Sequence, residues 1–547
     1  MSLTIKHFRG IRLDKRRSAS KPLGEPILQS SDTIRYLRPG NAFLNNITSL
    51  GGYHIFSDQG RRWVESQLGE KVNFDKVFSL ELHGLKPSDS HTNPDGSFLR
   101  RPELPGRASV ERYIEVYSSS FPSRVFPVIS RSMFGKTLDL AYNPLQVAGS
   151  ASSKACVYAF LSLISLFGFD NNTHGSMDCQ TYASMVYDFT TAVIQESTVD
   201  GLQSLIMLVQ HQYFIGDLLS AAATLSIATR LLYTLGAHTL YAGEPSNTSS
   251  STYNKGNLRC HLRDLFWLCY SFDKDLCLRI GQPPCILDTH CDLTLPCDYV
   301  RLHNINLRGN MSQVDDETIP LFPWDLRLSL LKSKVYERLY SAHSFRQSES
   351  EFLSSIRSLD ESLEQWRRSL PEELRPTLYV SQETSVAANL NTSAVMLRLA
   401  YYHCVAVIHQ ASSKFQDPTT DIPGPRLDNI TSSTSLSTAA SRSTLSFLHK
   451  VLYVVHPECV WVALFYAITA VLTLFCNILI NPHDPEAIND MKLLEQVPVL
   501  IRRIPVRKLT LGDWLQLQYM DDVMTELANI CAQVVSKSRK SSRDMAL

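Results

Sequence analysis

Six cysteines, Cys260, Cys269, Cys277, Cys285, Cys291 and Cys297, fall in one short stretch with His290 beside them. These are zinc-ligating residue types, and a closed tetrahedral site usually takes its ligands in tight pairs at Cys-x2-4-Cys spacing. No Cys-x2-Cys occurs in the chain. Cys269 and Cys277 stand eight residues apart, within one helix but too distant to chelate one ion as a local pair. The thiols therefore read as small core hydrophobes rather than as a metal site. His303, His403 and His409 lie near acidic residues, a pairing that general acid–base chemistry uses. Yet the sequence holds no Gly-x-Ser-x-Gly, no His-Glu-x-x-His, no phosphate-binding glycine loop and no dinucleotide fingerprint. The expectation is a protein that is not an enzyme, with no catalytic and no metal-ligating residue of its own.

Two basic clusters offer a different chemistry. Lys15, Arg16 and Arg17 close a basic N-terminal stretch, and Lys537, Arg539 and Lys540 sit near the C-terminus. Either could touch phosphates or serve as a nuclear-import signal, and a solvated tail has the same composition. Across the chain, Lys plus Arg and Asp plus Glu balance at 53 each, which argues against electrostatic DNA binding by the chain as a whole. The first seventeen residues are basic and polar with no apolar run of a secretory signal, so the twelve cysteines are expected as reduced intracellular thiols.

The elements that would position these residues are helices. Leu218, Leu219, Ala222, Leu225, Ala228, Leu231, Leu232 and Leu235 recur at spacings of three and four, one face of a helix, and Gly236 follows where a left-handed terminus belongs. With Val199–Ile215 before it and Gly216-Asp217 between, this makes a helical hairpin. Further helices are predicted at Val110–Ser120, Ser152–Gly168, Met177–Glu196, Asn257–Ile280, Trp324–Phe345, Glu349–Ser369, Val386–Ala411, Ser433–Val455, Val460–Ile480, Pro485–Ile504 and Leu511–Ser536. The fold class is all-α, a large multi-helix bundle of stacked antiparallel hairpins with no significant sheet. Cys459–Ile480 carries no charge and is long enough to cross a bilayer core of ~30 Å, which takes about 20 residues. It lacks a Lys/Arg cluster close to either end. A central helix buried on all sides reads the same way and is preferred, with a membrane span as the alternative.

The segment Arg259–Pro296 resembles the signature of the fungal-specific transcription factor domain, the middle homology region of zinc-cluster regulators. Arg259 and Arg263 precede Leu265-Phe266-Trp267, with Tyr270 and Asp273 in helical step; Gly281-Gln282-Pro283-Pro284, Ile286-Leu287-Asp288, Asp292 and Pro296 follow. Gln282 departs from the arginine usual in the family. The resemblance extends to Phe126-Pro127-Val128-Ile129 with Phe134, to Ala228, Leu235, Gly236 and His238, to Leu363, Trp366, Leu370 and Pro371, to Tyr402-His403-Cys404, and upstream to Asp58–Glu70. Read as residues alone, Arg263 and Trp267 are four apart and suit a cation–π contact, Asp273 could accept a bond from a nearby Arg, Gly281 can end the helix, and Pro283-Pro284 forces an extended exit.

The resemblance divides the chain into a basic flexible tail (1–30), an N-terminal segment and Pro/Ser/Gly-rich linker (31–98), the family domain (99–412), a Ser/Thr/Pro-rich disordered insertion (413–437) and a C-terminal helical region on the same body (438–547). It implies a nuclear regulator of RNA polymerase II transcription with a metabolic or secondary-metabolite gene set. In that family a zinc cluster reads DNA while the middle region dimerises, restrains activation or senses a small molecule. That cluster needs six cysteines, and none precedes Cys156 here. The expectation is a cluster lost by truncation or an alternative start, or DNA reached through a partner transcription factor. Zinc is then expected only in an upstream cluster. A homodimer and a small-molecule effector complete the implied partners, and no membrane is among them.

Overall fold

Short polar turns and side-chain caps divide this apolar chain into hairpins. The computed structural model describes residues 58–71, 103–169, 179–240, 258–308, 320–380, 390–412, 425–503 and 511–545. Among them are seventeen α-helices and no strand. They are α1 (Asp58–Leu68), α2 (Arg107–Ser118), α3 (Phe121–Val125), α4 (Arg131–Ala141), α5 (Ser150–Leu166), α6 (Cys179–Glu196), α7 (Val199–Phe214), α8 (Leu218–Thr234), α9 (Leu258–Ile280), α10 (Tyr299–Arg308), α11 (Leu326–Val335), α12 (Glu349–Arg368), α13 (Thr392–Gln410), α14 (Pro425–Val451), α15 (Val460–Ile480), α16 (Ala487–Arg502) and α17 (Leu511–Met545). The all-α expectation holds.

The caps fall where the sequence supplies them. The side chains of Thr198, Asp217, Asp325 and Asn391 each accept a backbone N–H in the first turn of α7, α8, α11 and α13. Ser348 and Glu351 form a capping box on α12. Gly216 turns the α7–α8 hairpin at φ 83°, and an added Cβ would lie in ordinary van der Waals contact with the Trp461 ring, 3.6 Å away. Backbone strain, not lack of space, is what reserves the position for glycine.

Two groups of hairpins share one core. In the first half α5 packs on α6 and α7, and α8 on α7. In the second, α13 pairs with α14 and α16 with α17. α15 lies between, touching α13, α14, α16, α17, α7 and α1. Its residues Val460 to Leu479 are buried but for Trp461, which is partly so. The apolar run is therefore the central core helix, with bounds as the sequence predicts, and the membrane reading is set aside.

Several boundaries differ from expectation. α1, α3, α4 and α10 were not anticipated as helices. The predicted Trp324–Phe345 helix ends at Val335, followed by a π-helical turn, Tyr336–Tyr340, and a 3-10 turn, Ser344–Arg346. The insertion expected at 413–437 lies outside the described residues up to 424, and from Pro425 it is helix. At its end Ser437 donates its hydroxyl to the Ala406 carbonyl on α13, and further along the same helix Ser441, Ser443 and Thr444 donate theirs to carbonyls four residues back. A Ser/Thr-rich face satisfied this way can be buried against a neighbour.

Candidate functional site

From Asp264 to Ile280 every residue of α9 is buried. A helix buried on all sides is normally apolar. This one carries Asp264, Asp273, Lys274, Asp275 and Arg279, so each charge needs a partner inside the protein.

Asp273 and its neighbours hold down the segment that leaves the helix. Gly281 ends α9 at φ 68°, and Pro283-Pro284 carries the chain out as a strap, residues 281–296, interrupted by a 3-10 turn at Asp288–His290. The Asp273 carboxylate accepts the backbone N–H of Cys285 at 2.7 Å and of Ile286 at 3.1 Å. Lys274 Nζ donates to the Ile286 carbonyl and lies 3.2 Å from Asp273 and 3.6 Å from Asp288. Asp288 also accepts from the Tyr270 and Ser333 hydroxyls, each at 2.9 Å. At the far end, the Arg263 guanidinium donates to the carbonyls of Asp292 (2.8 Å) and Ala237 (3.1 Å) while lying 4.4 Å above the Phe266 ring. Burial pushes the Asp273 carboxyl up, against the pull of Lys274 and the two amides. The strap is thus fastened to α9 at three points, through Asp273 with Lys274, Tyr270 and Arg263, and to α11 at a fourth, through Ser333.

Two further buried carboxylates tie the strap's supports together. Asp275 bonds Arg279 of its own helix, Lys332 of α11 and the Tyr213 hydroxyl of α7. Burial opposes its ionisation, yet the Arg279 and Lys332 charges hold its carboxyl well below the usual carboxylate range. Asp325, the α11 cap, accepts from the Trp366 indole N–H at 2.9 Å and from Arg327 at 2.7 Å, with His303 Nε2 at 3.4 Å. Trp366 belongs to the Leu-x-x-Trp element, so that stretch docks through its indole.

The structure brings most of the singled-out residues into one network. Leu265, Phe266 and Trp267 are core, and the Trp267 ring packs edge-on to Phe266 and Tyr270 at 5.3 and 5.5 Å. The Arg263 guanidinium is 5.8 Å from the Trp267 ring, the contact expected, though it sits closer to Phe266. Pro296 closes the strap, its carbonyl accepting the Tyr299 N–H just before α10 proper. Asp273 does not bond an arginine as expected: Arg263 and Arg279 are engaged elsewhere, and the backbone of the strap takes its place. The six thiols are not uniformly core. Cys269 and Cys277 are buried, Cys260 and Cys291 half-buried, Cys285 and Cys297 exposed. Among the described residues no three His, Cys, Asp or Glu side chains gather as metal ligands would. His403 is buried against Phe465 and Tyr466, and His409 faces Asp360 at 3.2 Å. Lys15, Arg16 and Arg17 lie outside the described residues. Lys537 bonds Glu70 and the Leu68 carbonyl, while Arg539 and Lys540 are exposed on α17, an ordered helix rather than a free tail.

Lys274, Asp275, Arg279, Lys332, Ser333 and Asp325 were not singled out from sequence. A signal was present in Asp273-Lys274-Asp275: consecutive helix positions turn about 100° each, so three charges in a row cannot share one solvent face. Between α8 and the strap lies a cleft of about 210 Å³. Leu219, Ala222 and Ser226 form one wall, Leu276 and Ile280 another, and Asp273, Gln282 and Cys285 line it.

Residues 124–368 match the fungal specific transcription factor domain, and the chain carries that domain. The chain is similar, at 26% identity over 474 residues, to ABC-transporter-regulating transcription factors of Aspergillus fumigatus and Aspergillus oryzae; the match covers 82% of this chain and 50% of each of theirs. It is 24% identical over 366 residues to a fusaridione A cluster transcription factor of Fusarium heterosporum, covering 65% of this chain and 62% of that one. The chain spans about half the length of the Aspergillus relatives. No solved structure matches it.

Proposed function

We propose that this chain is the helical regulatory region of a fungal transcription regulator, acting in the nucleus on RNA polymerase II genes that serve metabolism, secondary metabolism or export. The observation that carries the reading is the clamp itself. Arg263, Tyr270, Asp273 and Asp288, the polar members of the family pattern, all bind the strap or α9 directly. The relatives named above regulate an ABC transporter and a fusaridione A cluster by their titles, which supports a gene set of that kind.

Sequence-specific DNA contact comes from a zinc cluster or a partner transcription factor, because no recognition module lies in these 547 residues and their charge is balanced. An effector would enter at the cleft beside the strap, where Gln282 replaces the family's arginine and gives this chain its own ligand preference. Catalysis is no part of the proposal: the buried carboxylates are spent on holding helices together.

Two measurements test it. The chain fused to a foreign DNA-binding module should change transcription of a matching reporter in a fungal host, and no change relative to the module alone would sink the proposal. Purified chain in a gel-shift titration near physiological salt should show no site-selective binding.

A further inference from the structure

The buried charge around Asp275 does not balance. Arg279 and Lys332 are 2% and 1% exposed, and both lean on that one carboxylate. The Asp275 carboxylate acts on Arg279, Lys332, His403 and Tyr466 alike. Within this cluster two cations share one carboxylate, and one positive charge is left over.

The same corner holds hydrogen-bonding atoms with no partner among the described residues: Arg279 Nη2, both ring nitrogens of His403 and the Tyr466 hydroxyl. They converge. The Arg279 guanidinium lies 4.6 Å from the Tyr466 ring centre and 4.1 Å from that of Phe465. The His403 ring packs on the same two rings at 5.6 and 5.3 Å. Burial, then the charges of Arg279 and Lys332, push His403 down to about 3, so its imidazole is neutral and still donates one N–H. The corner therefore offers Arg279 Nη2, one His403 N–H and the Tyr466 hydroxyl as donors, beside the acceptors that the second His403 nitrogen and the Tyr466 oxygen supply, and buried polar groups in native proteins have partners.

We propose that this corner binds one small monovalent anion of chloride size, held by Arg279 Nη2, the His403 N–H and the Tyr466 hydroxyl and balancing the excess charge of Lys332. One negative charge closes the balance, whereas a dianion would reverse the excess. The groups come from α9, α11, α13 and α15, so the ion joins the two halves of the core rather than decorating a surface.

The test is thermal melting of the full chain at constant ionic strength, with chloride exchanged for gluconate. Chloride should raise the melting temperature by about 2 °C or more, rising with the logarithm of its concentration as linkage requires. Lys332→Met, which removes the excess charge, should abolish the difference between the two salts. Equal melting of the parent in both salts overturns the proposal and assigns the orphan donors to water. A chloride effect that persists undiminished in Lys332→Met overturns it as well. Should that variant not fold, crystals grown in bromide decide: an anomalous peak beside Arg279 supports the site, and its absence refutes it.

Discussion

The Tyr270 hydroxyl donates to Asp288 Oδ1 at 2.9 Å, joining the middle of α9 to the strap that leaves its end. Tyr270 is 0% and Trp267 1% exposed, and their rings meet edge-on. The two residues can therefore be separated by what each removal leaves behind.

Trp267→Ala removes one of the largest buried side chains and should cost about 3–5 kcal/mol through lost transfer energy and a residual cavity. That is a large part of the roughly 5–15 kcal/mol that keeps a domain folded. Tyr270→Phe keeps the ring and deletes one bond to a charged acceptor, about 1.5 kcal/mol, because Asp288 retains Ser333 and Lys274. Thermal melts of both beside the parent should show a sharp fall for Trp267→Ala and a smaller, measurable one for Tyr270→Phe. A fully stable Trp267→Ala protein would instead make the tryptophan a ligand contact.

Stability should fall in mild acid, and His403 gives the sign. Unfolded, its imidazole takes a proton near pH 6.5. Folded, burial and the Arg279 and Lys332 charges push that down to about 3. Between those values the unfolded chain holds the extra proton, so stability is full above about 6.5 and is lost as pH falls, by about 1.4 kcal/mol per pH unit. Buried His303, also pushed down, acts in the same direction. Asp275 adds to the loss at lower pH, and Asp273, pushed up, opposes it. Melts at pH 7.5 and 5.0 should differ clearly for the parent and less for His403→Met. Identical slopes for the two proteins would remove His403 from the account.

Much of this was legible in the residues. The α15 bounds follow from an uncharged run between a Pro-Glu step and Asn481-Pro482, and the α7–α8 hairpin from leucine spacing and Gly216-Asp217. α4 and α10 were hidden because short helices carry too few apolar repeats to show a period. α14 was read late because serine and threonine look like loop, and only the packing against α13 reveals hydroxyls bonded back to their own helix. At the clamp the pattern residues were visible but their partners were not. Asp273 bonds backbone amides twelve and thirteen residues on, and no side-chain spacing encodes an amide as a partner. Of the α9 charges only Asp275 and Arg279 stand at pairing distance on paper, four residues apart, since Lys332 and Tyr213 come from other helices.

The match to the known domain ends at residue 368, but the core does not. Arg279 of α9 lies on the rings of Phe465 and Tyr466, both on α15, and Trp461 of α15 covers Gly216 in the α7–α8 turn. Tyr340 donates to the Val407 carbonyl on α13 at 2.6 Å, and Trp366 stacks on Tyr401 of the same helix. Cutting after residue 368 therefore exposes the apolar face of α7, strips the aromatic cover from a buried arginine and opens α12. A fragment of residues 103–368 should be insoluble, or should keep helical circular dichroism without a cooperative melt and bind a hydrophobic dye. Residues 103–545 should melt in one cooperative step. A sharp, dye-silent transition in the shorter fragment would show that the family domain folds without α13 to α17 and would refute a shared core.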